Sequence, residues 1–176
     1  MQKIFKLKPN KKYFQSKRKS NLLSVCCEIK IDVSDLSKAE WRLLVQQTVI
    51  TEELFILYPD KILQRAFYDY QELSEDFIRK HQSILNFFEI SYTKNLSEEF
   101  MEEFEDRLTW SAISHQKLSE SFIRKHKDQV YWLQISLCQK LSKDFIVEFI
   151  DKIDLKKLAS NKNVSKEIKE FCRMFV

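Results

Sequence analysis

Three histidines, four cysteines and a cluster of lysines are the side chains here best equipped for ligand or covalent chemistry. His81 and His126 fall in matching runs, Arg79-Lys80-His81 and Arg124-Lys125-His126, while His115 stands apart. A structural zinc site needs four nitrogen or sulfur ligands at close, characteristic spacing. Cys26 and Cys27 are adjacent, Cys138 and Cys172 are isolated, and no Cys-x-x-Cys occurs. Such thiols read as reduced, buried, small hydrophobes in an intracellular setting. Carboxylate pairs such as Glu98 with Glu99, or Glu102 with Glu103, are frequent. None stands out as an acid/base couple, and no nucleophile–base motif accompanies them. Glycine is absent, which argues against phosphate-cradling loops and dinucleotide fingerprints, because both need its backbone freedom. The expectation is a non-enzymatic chain with no cofactor and no metal.

The basic residues offer a different chemistry. Residues 1–27 contain Lys3, Lys6, Lys8, Lys11, Lys12, Lys17, Arg18 and Lys19 and no acid. These are 8 of the 30 bases, so the rest of the chain sets 22 bases against 26 acids, and the whole net charge of +4 comes from this end. A cationic segment of this kind gains affinity for nucleic acid by releasing counterions, and Tyr13 or Phe14 would be available to stack on bases. A solubilising tail, or a segment docking on the acidic remainder, has the same composition. The eight bases are therefore the candidate nucleic-acid or partner-binding residues. Tyr68, Tyr70, Tyr92 and Tyr131 are candidates for a second binding face.

What must position these residues is a repeat. Leu73-Ser74-Glu75-Asp76-Phe77-Ile78 recurs as Leu96-Ser97-Glu98-Glu99-Phe100-Met101, Leu118-Ser119-Glu120-Ser121-Phe122-Ile123 and Leu141-Ser142-Lys143-Asp144-Phe145-Ile146. Ile50-Thr51-Glu52-Glu53-Leu54-Phe55 and Val164-Ser165-Lys166-Glu167-Ile168 fit the same frame, giving a unit of 22 or 23 residues. A second set of columns follows in each unit, including Gln64, Phe87, Trp110, Trp132 and Leu155, and then Phe67, Ile90, Ile113, Ile135 and Leu158. Trp41 precedes Ile50 by the same interval as Trp132 precedes Leu141, which points to a divergent unit over 27–49.

Each unit reads as two short helices. Ser or Thr at the second position is a good N-cap, and the acids behind it suit the positive end of the helix dipole. Asp60, Asp106, Asp128 and Asp151 are expected to turn or cap the chain into the second helix, which presents its Trp and Ile inward. Helices this short are unstable alone and must bury their apolar faces against neighbours. The expected architecture is all-α, with helical-hairpin repeats stacked as an α-solenoid behind a small irregular or β-containing N-terminal segment. The alternation at Val25, Cys27, Ile29, Ile31 and Val33 suits a strand there. The implied divisions are a basic arm over 1–26, a divergent repeat or cap over 27–49, five repeats over 50–163 and a capping helix over 164–176.

The pattern L-S-E-x-F-I…D-x-V-x-W-x-x-I-S-x-x-Q-K-L-S resembles a short helical repeat of uncharacterised proteins from large DNA viruses and bacteriophages. It is closest over 96–117 and 118–140, less complete over 73–95 and 141–163, and spans about 50–163 in all. Gln64 and Phe87 replace its Trp, and Leu155 loses that aromatic. The resemblance implies a viral or phage origin and, by analogy, a protein-interaction role as a host-factor inhibitor or minor structural component. It carries no catalytic residues. With no apolar run behind Met1 and none near the length of a spanning helix, an intracellular, non-membrane protein that is not secreted is expected. Nucleic-acid association through residues 3–19 is the alternative.

Overall fold

The computed structural model describes residues 4–10 and 29–174. The described residues are mostly helical, 54% of them, with a small three-stranded antiparallel sheet. It divides into two compact units, Met1–Glu89 and Ile90–Val176.

In the first unit, β1 (Ile4–Pro9) is the middle strand, between β2 (Ile29–Asp32) and β3 (Thr48–Val49). Leu7 pairs with Ile29 on one side, and Lys8 pairs with Val49 on the other. Along β1 the side chains alternate: Phe5 and Leu7 are buried while Ile4, Lys6 and Lys8 are exposed, as the period of two of a half-buried strand requires. The expected strand near the N-terminus is met at Ile29–Asp32, whereas Val25, Cys26 and Cys27 lie outside the described residues. The sheet ends at Asn10, whose backbone N–H donates to Gln47 O at 2.7 Å and whose Nδ2 donates to Tyr70 O at 2.9 Å.

Helix α1 (Lys38–Gln47) starts with a capping box, in which Ser37 Oγ accepts from Glu40 N while the Glu40 carboxylate accepts from Ser37 N. This pairing satisfies donors that would otherwise be orphaned at a helix start. Trp41 and Val45 face the core beside Leu54, Phe55, Ile62 and Phe67, from α2 (Glu52–Leu57), α3 (Pro59–Ile62) and α4 (Arg65–Tyr70). Helix α5 (Glu75–Lys80) follows, and α6 (Phe87–Thr93) runs through the boundary between the units.

The second unit alternates first helices α7 (Glu98–Glu103), α9 (Glu120–Lys125) and α11 (Lys143–Glu148) with second helices α8 (Trp110–Ile113), α10 (Trp132–Cys138) and α12 (Leu155–Ser160), then α13 (Lys166–Arg173). Its core is built from Phe100, Met101, Ile113, Ile123, Ile135, Phe145, Ile146 and Leu158.

The expected N-caps are present at every repeat start. Thr51, Ser74, Ser97, Ser119, Ser142 and Ser165 each accept a backbone N–H three residues ahead. Of the two roles expected for the aspartates, turning is met at three of them and capping at none of these three. Asp106, Asp128 and Asp151 lie in the turn after each first helix, and α8 and α10 begin at Thr109 and Tyr131 with no side-chain cap. Asp154, three residues beyond Asp151, caps α12 instead. Glycine is not needed at the helix ends, because the C-cap residues keep negative φ: −111° at His81, −108° at His126 and −117° at Phe149. The chain leaves each first helix through a turn of ordinary residues rather than through a left-handed one.

Candidate functional site

The chemistry of the described residues is concentrated at the joints between successive repeats. The first device is a buried amide. Gln139 Nε2 donates to Ser114 O (3.0 Å) and Gln116 O (2.6 Å), and its Oε1 accepts from Leu118 N (3.1 Å). Gln116 does the same one repeat earlier, to Ser91 O and Lys94 O and from Leu96 N. Gln71 repeats it in the first unit, to Val45 O and Thr48 O and from Ile50 N. Asn161 takes the place at the last joint, donating to Ser136 O and Gln139 O. Each amide thus occupies carbonyls that the end of the preceding second helix cannot satisfy internally.

A second device uses the serine of each second helix. Ser91, Ser114 and Ser136 are buried, and their Oγ atoms accept from the backbone N–H of Thr109, Tyr131 and Asp154 in the following repeat. The bond reaches the N-cap residue of each second helix, whether that helix has a side-chain cap, as α12 does, or none, as in α8 and α10. Tyr68 replaces the serine in the first unit, and its phenol accepts from Asn86 N at 2.9 Å. Burial raises the Tyr68 pKa above its usual value.

The third device is a clasp between first helices. The Glu98 carboxylate accepts both the N–H and the hydroxyl of Ser119, the next N-cap residue. Glu120 accepts from Ser142 N at 2.6 Å and Ser142 Oγ at 3.1 Å.

Aromatic rings complete the joints. Trp110 lies 4.9 Å from the His126 ring and 6.2 Å from Phe122, and Trp132 lies 5.0 Å from Phe149 and 6.4 Å from Phe145. Trp41 lies 5.2 Å from Tyr58, so α1 presents its indole as the later second helices do. Trp110 and Trp132 are only half-buried: they cover the next repeat's rings, and the column that goes fully inside is Ile113 and Ile135.

The histidines are accounted for within this frame. His81 is buried against Phe55 and Phe77, with Nε2 2.8 Å from Glu52 Oε1, which Lys80 Nζ also reaches at 2.6 Å. His126 sets Nδ1 2.8 Å from Gln129 Oε1, while Glu102 binds Lys125 at 2.7 Å. Lys80 first and His81 second hold the Glu52 pKa below its ordinary value, and Lys125 does the same for Glu102. His115 is exposed on α8's C-terminal side, near Ser111 O.

Of the eight candidate basic residues, Lys6 and Lys8 are exposed on one side of β1. Neither has an ion pair among the described residues. Lys3, Lys11, Lys12, Lys17, Arg18 and Lys19 lie outside the described residues. Of the four tyrosines, Tyr92 and Tyr131 are exposed, Tyr70 is half-buried, and Tyr68 belongs to the core. Among the described residues no helix is long and apolar enough to cross a membrane. The amide column is the element that sequence reasoning missed. Its signal is a Gln at constant register two residues before three of the repeat starts, at 71, 116 and 139. No family model matches the chain, and neither does any curated protein or solved structure.

Proposed function

We propose that this chain is a non-catalytic protein-binding module of viral or phage type, an α-solenoid whose repeats present a variable surface on a constant scaffold. It would act as a host-factor inhibitor or a minor structural component. The observation that carries this reading is the contrast within one repeat. Amide, serine and N-cap positions recur with the same partners from joint to joint, while one outward frame position holds Ile56, Arg79, Glu102, Arg124 and Val147 in turn. Ile56 and Val147 are more than half exposed, at 56% and 55%. Apolar side chains held out at a position that is charged in the other repeats suit a protein contact. Affinity capture by the full chain tests it, alongside a variant carrying Ile56→Asp, Arg124→Glu and Val147→Asp. Loss of a partner at an unchanged urea midpoint supports the reading. Capture of nothing by the intact chain, or undiminished capture by the variant, removes its support.

Nucleic-acid association is the second reading, favoured by the exposed Lys6 and Lys8 on β1 and the cationic sequence after Asn10. Deleting residues 1–20 would strip the middle strand of the sheet, so charge removal is the better test. Converting Lys11, Lys12, Lys17, Arg18 and Lys19 to Ser should flatten the salt dependence of DNA or RNA binding. The slope should fall by roughly 0.9 for each duplex phosphate that the chain no longer neutralises. An unchanged slope excludes the segment.

A further inference from the structure

The joint between the repeats starting at Ile50 and Leu73 is built differently from those that follow in the second unit. By register, Glu52 should clasp Ser74 as Glu98 clasps Ser119 and Glu120 clasps Ser142. Its carboxylate lies instead with Lys80 and His81. The reason is one residue on the same helix. In the repeat from Leu96, Lys125 is held by Glu102, leaving Glu98 to make the clasp. The matching position in α2 is Ile56, which cannot hold a cation, so Lys80 and His81 draw Glu52 away.

A second departure acts on the same joint. Trp110 and Trp132 cover Phe122 and Phe145, which are 3% and 0% exposed. The residue in register to cover Phe77 is Gln64, whose amide turns back to Lys61 O at 2.6 Å. Phe77 is left half-buried. The two departures coincide with a groove of about 560 Å³, lined by Glu52, Phe55, Phe67, Glu72, Ser74 and Phe77 among others. Ser74 N–H, whose counterparts donate to a glutamate, has no acceptor among the described residues. Glu72 at the rim is exposed and has no ion pair among them. The lining holds two acids, Glu52 and Glu72, and no base, so it favours a cation.

We propose that this open joint is a binding groove for a short segment of a partner protein, which sets a cationic side chain against Glu72 and an apolar one on Phe77. The proposal rests on the reading of the chain as a protein-binding module and names the chemistry that one joint selects. The charge of Glu72 gives preference for a basic segment, and Phe77 gives the apolar contact that a purely electrostatic surface lacks.

The test restores the later repeats' own residues. Ile56→Glu supplies the missing acid for Lys80 and His81, and Gln64→Trp supplies the missing cover for Phe77. Fluorescence anisotropy on the full chain would compare a labelled hexapeptide Arg-Leu-Arg-Phe-Arg-Leu with its counterpart Glu-Leu-Glu-Phe-Glu-Leu. The basic peptide should bind at least tenfold more tightly than the acidic one. The double variant should lose at least tenfold of that affinity while its urea midpoint holds or rises, and Glu72→Gln should lose several-fold. Equal binding of the two peptides, or undiminished binding by the double variant, overturns the groove. If a partner of the intact chain is still held by the double variant, the groove fails while the protein-binding reading stands.

Discussion

The side-chain amide of Gln139 reaches back 25 positions to the carbonyl of Ser114, 3.0 Å away, from a site 2% exposed to solvent. One side chain thereby satisfies two carbonyls of the preceding repeat and the backbone N–H of Leu118, which opens its own. Gln139→Ala leaves those groups buried without partners, and each such group costs about 1–3 kcal/mol. A loss of about 3 kcal/mol is expected on that basis, read as a lower urea midpoint at unchanged slope. Gln139→Glu should be worse, because a carboxylate repels the two carbonyls. A loss below about 1 kcal/mol would show that water replaces the amide.

The Glu120–Ser142 clasp is open to a double-mutant cycle. Ser142→Ala removes the N-cap acceptor for Phe145 N as well as the hydroxyl donated to Glu120, at about 1 kcal/mol for the cap. Glu120→Ala and Ser142→Ala together should show a coupling of about 0.5–1 kcal/mol. Strict additivity would leave the clasp without energetic weight.

His126→Phe should not destabilise the fold. The ring packs between Trp110 and Phe122, and the later repeat fills this position with Phe149. The buried Nε2 lacks a hydrogen-bond partner among the described residues, with the Glu102 carboxylate 3.8 Å away. Removing that nitrogen should raise stability by about 1 kcal/mol. A drop of the same size in thermal unfolding would show that the pairing with Gln129 outweighs the orphaned atom.

Acid should loosen the first-helix faces through Glu52 and Glu102. Both carboxylates have pKa values lowered by their basic partners. A depressed folded pKa contributes stability that is fully present above the unfolded value, here 4.5, and is lost as pH falls through the folded value. Glu52→Gln with Glu102→Gln should therefore be less stable than the parent at neutral pH. The difference should shrink below pH 4.5 in urea titrations at fixed pH values. A difference that persists unchanged into acid would assign the loss to packing rather than charge.

Much of the local structure was legible because its causes are local. The N-caps at Ser74, Ser97, Ser119 and Ser142 follow from a hydroxyl before acids at a fixed interval. The helical role of Trp41 followed from its register alone. The joints were not legible, because Gln116 and Gln139 read as ordinary surface amides until a neighbouring repeat is laid against them. Asp106 and Asp128 take the turning role of the two that their position allowed, since the N–H groups of Thr109 and Tyr131 are taken by Ser91 and Ser114 of the preceding repeat. Strand β1 was not legible although Phe5 and Leu7 alternate with lysines, because so short an alternation within a cationic segment also fits an unpaired arm until its partners β2 and β3 are laid beside it.

The buried amides also bear on how such a chain changes length. Gln116 and Gln139 both stand two residues before a Leu-Ser start, and both reach carbonyls of the helix behind them. Excising residues 118–140 would bring Gln116 two positions ahead of Leu141, the place Gln139 now holds. The new seam would be spanned by Asn161, which now donates to Ser136 O and Gln139 O and would meet their counterparts, Ser114 O and Gln116 O, which Gln139 now holds. Unequal recombination between repeats therefore yields whole units with working seams, so copy number can drift while each seam is preserved.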